Sequence, residues 1–138
     1  MDEVKAIHQI TMNHGVDKIR FGMSVAQLQA LGYTEKEDRY NEITQWRTFA
    51  HDETLLCYVR DDIVIAFACF EKCHVLGRNL IGLSERELIT ILGQPTEIGD
   101  ALWVSDAQQQ IPFEYEKEGL QIWFELGKII SVFGDEGT

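Results

Sequence analysis

The chain has 138 residues, 45% of them hydrophobic, and a formal net charge of -11. This length supports one well-packed core but is too short for two independent enzyme-sized domains. Residues 81–138 carry 11 acidic and 3 basic side chains, a net charge of -8 for that half. Such a charge repels nucleic acids and anionic membrane surfaces and speeds encounter with basic proteins, so we expect no nucleic-acid or membrane partner.

The beginning of the chain and its cysteines bear on cellular location. Met1–Lys5 lacks the basic and apolar regions of a signal peptide, and no apolar stretch approaches membrane-spanning length. The three cysteines are an odd number, whereas secreted domains more often have an even disulfide framework. We therefore expect a cytoplasmic protein.

Two helices are predicted, each by the same arrangement of residues. The first has Ser24 as N-cap, Gln27 in the capping-box position and Gly32 as its stop. In the second helix, sixty residues later, the same parts are played by Ser84, Glu87 and Gly93. A local pattern used twice indicates one supersecondary unit used twice.

Strand-like segments follow each helix. After the first helix, the predicted strands are roughly Glu42–Phe49, Leu55–Arg60 and Ile63–Phe70. After the second helix they are Ala101–Val104, Ile111–Tyr115, Gly119–Glu125 and Lys128–Phe133. Tight turns are predicted at Asp61-Asp62 and Leu126-Gly127.

These elements predict an α+β fold made of two tandem repeats. Each repeat would be one helix followed by an antiparallel β-meander, giving two layers, helix on sheet, with one sheet face open. We expect a single domain over residues 1–138, with repeat 1 at about 19–73, a linker at about 74–79 and repeat 2 at about 80–134. Residues 1–12 are expected to form an ill-defined lead-in.

Strand alternation predicts which side chains the open face carries. In the second repeat, Gln121, Trp123 and Glu125 would point away from the core, together with Glu114 and Glu116 on the neighbouring strand.

In the first repeat, Trp46 would share a face with Glu42, Thr44 and Thr48. The face that matches Trp123 would also carry Tyr58, Ile65 and Phe67. Tryptophan and tyrosine dominate interface hot spots, so we predict a protein-binding face anchored by Trp123, Trp46 and Tyr58.

The chain offers little that indicates an enzyme or a metal site. Cys69, Cys73 and His74 lie close together with Cys57 across a hairpin, but a zinc site needs a second ligand pair, and strand cysteines behave as core residues. There is no serine elbow, phosphate loop or dinucleotide fingerprint. We therefore expect no enzymatic activity, no cofactor and no metal.

The helix openings, Phe21-Gly22-Met23-Ser24 and Gly82-Leu83-Ser84, and the closing hairpin Gly119–Phe133 carry a resemblance. The pattern resembles the tandem helix-plus-sheet repeat of β-lactamase inhibitor proteins and of the related small lipoprotein of the outer-membrane assembly machinery. The resemblance implies a protein-binding face on the open side of the sheet. Some small acidic relatives look like immunity proteins that neutralise a bacterial toxin.

We therefore expect a non-enzymatic, protein-binding inhibitor, in the form of a cytoplasmic immunity protein against a basic toxin or nuclease effector. In this hypothesis, Glu114, Glu116 and Glu125 would pair with basic groups of the partner. Two alternatives remain open: a small metal- or ligand-binding regulatory domain, and a homodimeric adaptor.

Overall fold

The computed structural model describes residues 7–36, 45–103, 105–106 and 108–136, and most of its regular structure is β-strand. The two helices found in these residues are α1 (Val25–Ala30) and α2 (Glu85–Leu92). The strands are β1 (His8–Thr11), β2 (Gly15–Val16), β3 (Ile19–Arg20), β4 (Thr34–Glu35), β5 (Arg47–Ala50), β6 (Leu55–Arg60), β7 (Ile63–Cys69), β8 (Cys73–Val75), β9 (Arg78–Asn79), β10 (Glu97–Ile98), β11 (Leu102–Trp103), β12 (Gln109–Tyr115), β13 (Leu120–Glu125) and β14 (Lys128–Asp135).

Nine of the described strands form one large antiparallel sheet. Its order is β10-β12-β13-β14-β7-β6-β5-β4, and β11 pairs with β12 beside β10. The two halves of the chain meet where β14 pairs with β7, with Val132 opposite Cys69 and Gly134 opposite Phe67. The large sheet is therefore continuous across both halves.

A smaller sheet of five short strands has the order β3-β2-β1-β8-β9. Its central pair is parallel, with His8 opposite Cys73, and it joins the beginning of the chain to the middle. The sequence predicted an ill-defined lead-in at residues 1–12 and a linker at about 74–79. The described part of the lead-in contains β1, and β8 and β9 form a hairpin in the linker segment.

Both helices begin with the predicted capping box. Ser24 accepts a hydrogen bond from the Gln27 amide, and the Gln27 side chain accepts one from the Ser24 amide. The same exchange joins Ser84 and Glu87 at the beginning of α2. These bonds satisfy amides that a helix N-terminus otherwise leaves without partners.

The predicted α+β fold class of two tandem helix-plus-meander repeats is wrong. The helices are only 6 and 8 residues long, and the remaining regular structure of the described residues is two β-sheets. The two sheets together make the fold predominantly β, and the small sheet was not predicted from the sequence. The strands of the small sheet have two to four residues, which is too short to give a clear period-2 signal in the sequence.

One hydrophobic core joins both sheets and both helices. It contains Val16 from β2, Leu28 from α1, Leu88 from α2 and Ile122 from β13, all fully buried. Phe67 of β7 also lies in this core, where its ring stacks on Phe21. A Cβ atom at Gly134 would overlap the Phe67 ring, so glycine at this position makes room for the aromatic side chain.

The cysteines are not all in the reduced state that the sequence suggested. Cys69 at the end of β7 and Cys73 at the beginning of β8 form a disulfide, with their Cα atoms 6.0 Å apart. The disulfide connects the large sheet to the small sheet. Cys57 is a buried free thiol, and burial raises its pKa to about 12, which makes it a poor nucleophile. Within the described part of the chain, no helix is long and apolar enough to cross a membrane.

Candidate functional site

The large sheet has a side that faces away from the core, which we call the outer face. It is defined by Glu114, Gln121, Trp123, Phe133 and Tyr58, together with Trp46 just before β5. Along β13, Leu120, Ile122 and Phe124 are buried while Gln121, Trp123 and Glu125 are half-buried, which is the alternation of a strand with one side on a core. The structure thus confirms that Trp123 points away from the core.

Three side chains form a hydrogen-bonded row across β13 and β12. The Trp123 Nε1 group donates to Gln121 Oε1 at 2.7 Å, and Gln121 Nε2 donates to Glu114 Oε1 at 2.5 Å. Glu114 lies directly opposite Gln121 in the register of the two strands. The indole is therefore held in place by a polar chain that ends on a carboxylate.

Three aromatic rings form a cluster on the same face. The ring centroids of Trp46 and Tyr58 are 5.5 Å apart, and Phe133 lies 6.3 Å from Trp46 and 5.9 Å from Tyr58. Phe133 also lies opposite Gln121 in the pairing of β14 with β13. Phe133 therefore joins the aromatic cluster to the row of Trp123, Gln121 and Glu114.

A cavity of about 260 Å³ opens beside this row. Among the described residues, its lining includes three carboxylates and no lysine or arginine. It is lined by Glu114, Tyr115, Glu116, Gly119, Leu120, Gln121, Phe133 and Asp135. A cavity with acidic walls and an aromatic ring fits a lysine or arginine side chain, because carboxylates and ring faces both attract a cation.

The remaining predicted site residues lie at different distances from this cavity. Glu116 is exposed in the turn after β12 and lines the cavity, whereas Glu125 is half-buried at the far end of β13, opposite Lys128. Trp46 and Tyr58 belong to the aromatic cluster rather than to the cavity. The structure therefore brings Glu114 and Glu116 together and separates Glu125 from them.

One predicted member of the outer face is wrong. Phe67 faces the core and is buried, because it lies opposite Gly134 and Cys57 on the inner side of the sheet. Ile65 is half-buried at an irregularity in the pairing of β6 with β7. Glu42 and Thr44 lie outside the described residues.

Phe133 was missed as a member of the site. Alternation along the sequence puts Phe133 on the same side of its strand as Ser131, and the structure places Ser131 opposite Trp123. The β14 strand also continues to Asp135, beyond the predicted end at Phe133. The pairing of β14 with β13, which sequence alternation alone does not give, is what brings Phe133 to the outer face.

A second polar cluster, centred on His8, was also missed because its members are far apart in sequence. His8 is buried, with Nδ1 2.8 Å from Asp17 Oδ2 and Nε2 2.8 Å from Thr54 Oγ1. The Thr54 hydroxyl lies 2.5 Å from Asp52 Oδ1, and this hydrogen bond lowers the pKa of Asp52. The cluster connects β1 to the turn before β6.

The spacing of Thr54, His8 and Asp17 is that of a nucleophile, a base and an orienting carboxylate. However, the Thr54 hydroxyl has only one hydrogen to donate. The ionised Asp52 carboxylate is an acceptor and competes with His8 for this hydrogen. The neighbouring cavity of about 300 Å³ is lined by His8, Asp17 and Asp52 but not by Thr54. The arrangement is therefore suited to joining the two sheets and does not present a hydroxyl to a substrate.

The candidate metal ligands are not brought together as a site. Cys69 and Cys73 are bonded to each other, so neither supplies a thiolate while the disulfide is intact. In the described ranges, no group of three or more His, Cys, Asp or Glu side chains is arranged to hold a metal ion.

Comparison with protein families, curated proteins and solved structures finds no match. The resemblance to β-lactamase inhibitor proteins and the assembly lipoprotein is wrong, because the described residues form mostly β-sheet with two short helices and the chain matches no family. The motifs that carried the resemblance are helix caps and turns. Such motifs recur in unrelated folds because they satisfy local backbone groups.

Proposed function

We propose that the chain is a non-enzymatic binding protein that uses the outer face to bind a basic protein partner. The observation that carries this proposal is the row of Trp123, Gln121 and Glu114 beside an acidic cavity. The partner would place a lysine or arginine side chain between Glu114 and Glu116, and its surrounding surface would contact Trp123 and Phe133.

The fixed position of Trp123 supports this role. Its indole Nε1 group is already bonded to Gln121, so a partner would meet an ordered ring. Ordering a side chain before association lowers the entropy cost of binding. Tryptophan at a partly exposed, ordered position is the type of residue that most often carries binding energy.

The charge of the chain supports a basic partner. The net charge of -11 accelerates association with a cationic surface, and the cavity supplies carboxylates where a cation would dock. Inhibition of a toxin or nuclease effector is the narrower form of the proposal. That form rests only on the acidic surface, since the resemblance that first indicated an immunity protein is wrong.

The proposed cytoplasmic location is opposed by one observation. Disulfides persist in oxidising compartments and are rare in the reducing cytosol, and Cys69 and Cys73 form one. Binding through the outer face does not depend on the compartment, because neither cysteine belongs to that face.

The test is capture of partners with the tagged protein from a lysate of its host, followed by affinity measurement on the purified pair. Trp123→Ala is expected to weaken binding by about 2 kcal/mol, roughly 30-fold in Kd, because the anchor is lost. Glu114→Gln with Glu116→Gln is expected to slow association and to reduce its dependence on salt.

Trp103→Ala is the matched control, since Trp103 is an exposed tryptophan that lines a different cavity together with Phe113 and Phe124. Thermal unfolding must show that Trp123→Ala retains the fold. A partner that is not basic, or one whose Kd is equal for Trp123→Ala and Trp103→Ala, would overturn the proposal.

A further inference from the structure

An apolar groove lies on the opposite side of β12 and β13, at the end of the sheet near α2. Its volume is about 350 Å³, and its floor consists of Ile111, Phe113 and Phe124. The rings of Phe113 and Phe124 are 4.6 Å apart and almost fully buried, so the floor is the edge of the hydrophobic core. The groove is therefore separate from the outer face, which lies on the other side of the same strands.

The rim of the groove exposes two large apolar side chains. Trp103 of β11 is 63% exposed, and Leu126, in the turn between β13 and β14, is 94% exposed. Both line the groove, and Glu85 at the beginning of α2 lines it as well. Ile98, 53% exposed, adds a third apolar side chain on the same side, since it pairs with Phe113. Exposed apolar clusters of this kind mark interaction surfaces.

The charges around the groove indicate what binds there. Glu85 is the one ionisable residue among the described groove-lining residues, and this half of the chain has a net charge of -8. A second copy of the chain would carry the same net charge of -11, and the mutual repulsion opposes self-association. An amphipathic segment matches both features of the groove. Its apolar side chains would cover the apolar floor, and its basic residues would pair with Glu85.

We propose that this groove binds a short amphipathic, basic segment of a partner protein. The segment places two large apolar side chains over Phe113 and Phe124, between Trp103 and Leu126, and a lysine or arginine against Glu85. This is the geometry in which amphipathic helices bind apolar grooves. The inference concerns a different surface from the outer face and does not depend on the partner proposed for it.

The test uses a synthetic amphipathic helical peptide of leucine and lysine as the probe, with an otherwise identical peptide of leucine and glutamate as its control. The basic peptide is expected to bind and to shift the indole NMR signal of Trp103 but not that of Trp123. Trp103→Ser and Leu126→Asn are each expected to weaken binding by about tenfold or more. Glu85→Gln is expected to cause a smaller loss that disappears at high salt.

The chain contains a close control for Leu126→Asn. Leu76 is also an exposed leucine at positive φ just before a glycine in a hairpin turn, 65% exposed against 94%. Asparagine tolerates positive φ, so Leu76→Asn and Leu126→Asn impose a similar demand on the backbone. Leu76→Asn is expected to leave peptide binding unchanged.

Three results would overturn the proposal. The first is equal affinity of the protein for the basic and the acidic peptide, and the second is an equal loss of affinity in Leu76→Asn and Leu126→Asn. The third is a dimer in solution that Leu126→Asn converts to a monomer, because a second copy of the chain would then occupy the groove. None of these results bears on the outer face, which the Trp123→Ala measurement tests separately.

Discussion

The two helices begin in the same way but differ in their first turns and at their ends. Before each helix, two residues form backbone hydrogen bonds with a central strand. They are the glycine two positions before the N-cap serine and the residue that follows this glycine. Gly22 and Met23 exchange hydrogen bonds with Val64 of β7, and the bonds are 2.8–2.9 Å long. At α2 the corresponding residues are Gly82, Leu83 and Ile129 of β14.

The differences involve both charge and the way in which each helix stops. The box residue of α1 is the neutral Gln27, whereas α2 has the acidic residues Glu85 and Glu87 in its first turn, which interact favourably with the helix dipole. The α2 helix ends at Gly93, whose carbonyl accepts a hydrogen bond from Tyr115. The shared start therefore places each helix on its strand, while other residues determine the length of the helix.

The largest expected effects come from the matched leucines. Leu28 of α1 and Leu88 of α2 are both fully buried, so Leu28→Ala and Leu88→Ala are each expected to lower the free energy of unfolding by about 2–5 kcal/mol. Leu88 is the only buried side chain of α2, whereas α1 also buries Val25.

Ile91 and Leu92 are only partly buried against the core, so Leu88→Ala is expected to reduce the protection of α2 against hydrogen exchange. Denaturant unfolding measures the stabilities, and hydrogen exchange measures the protection of each helix. Equal protection of α2 in the wild type and in Leu88→Ala would contradict the prediction.

A smaller effect is expected from the caps. Ser24→Ala and Ser84→Ala each remove a side-chain acceptor for a helix amide and are expected to cost about 1 kcal/mol. Serine-to-threonine changes at the same positions keep the acceptor and serve as controls. If the alanine and threonine variants unfold at the same denaturant concentration, the caps do not contribute to stability.

The smallest expected effect is a difference in pH dependence between the two capping boxes. Hydrogen bonds from the Ser84 amide and hydroxyl lower the pKa of Glu87 in the folded protein. Its contribution to stability is therefore present above the pKa of an unfolded glutamate, about 4.3, and is lost as the pH falls through the lower folded value. The Gln27 box has no group that titrates there.

Glu87→Gln is expected to reduce stability slightly at about pH 7, and this loss is expected to shrink as the pH falls below the pKa of an unfolded glutamate. The measurement is the difference in unfolding midpoint between the variant and the wild type across this range. Gln27→Glu provides the reciprocal change and should add the same kind of pH dependence to α1. A Glu87→Gln difference that does not vary with pH would contradict the assignment.

Local features of the fold could be predicted from the sequence. The caps at Ser24 and Ser84 follow from side chains a few residues apart, and the turns at Asp61-Asp62 and Leu126-Gly127 are where the hairpins reverse. The bounds of β6 were also predicted, because an apolar, strand-prone run ends at the turn residues Asp61-Asp62.

The assembly of the sheets could not be predicted. The parallel pairing of His8 with Cys73 and the cluster of His8 with Thr54 join residues that are distant in sequence, and no local pattern records such contacts. The outward direction of Trp123 was predicted from alternation. The error at Phe67 arose in a hairpin that is apolar on both sides, where alternation does not indicate which side faces the core.

The close approach of Gly134 and Phe67 has a consequence for how relatives of this chain would be recognised. Gly134 is needed for space rather than for an unusual backbone angle, because a Cβ atom there would overlap the Phe67 ring. A larger residue at position 134 therefore requires a smaller one at position 67, and the two sites should vary together. Since β7 and β14 belong to different halves of the chain, this joint variation would mark a sequence that forms the same continuous sheet even where overall identity is low.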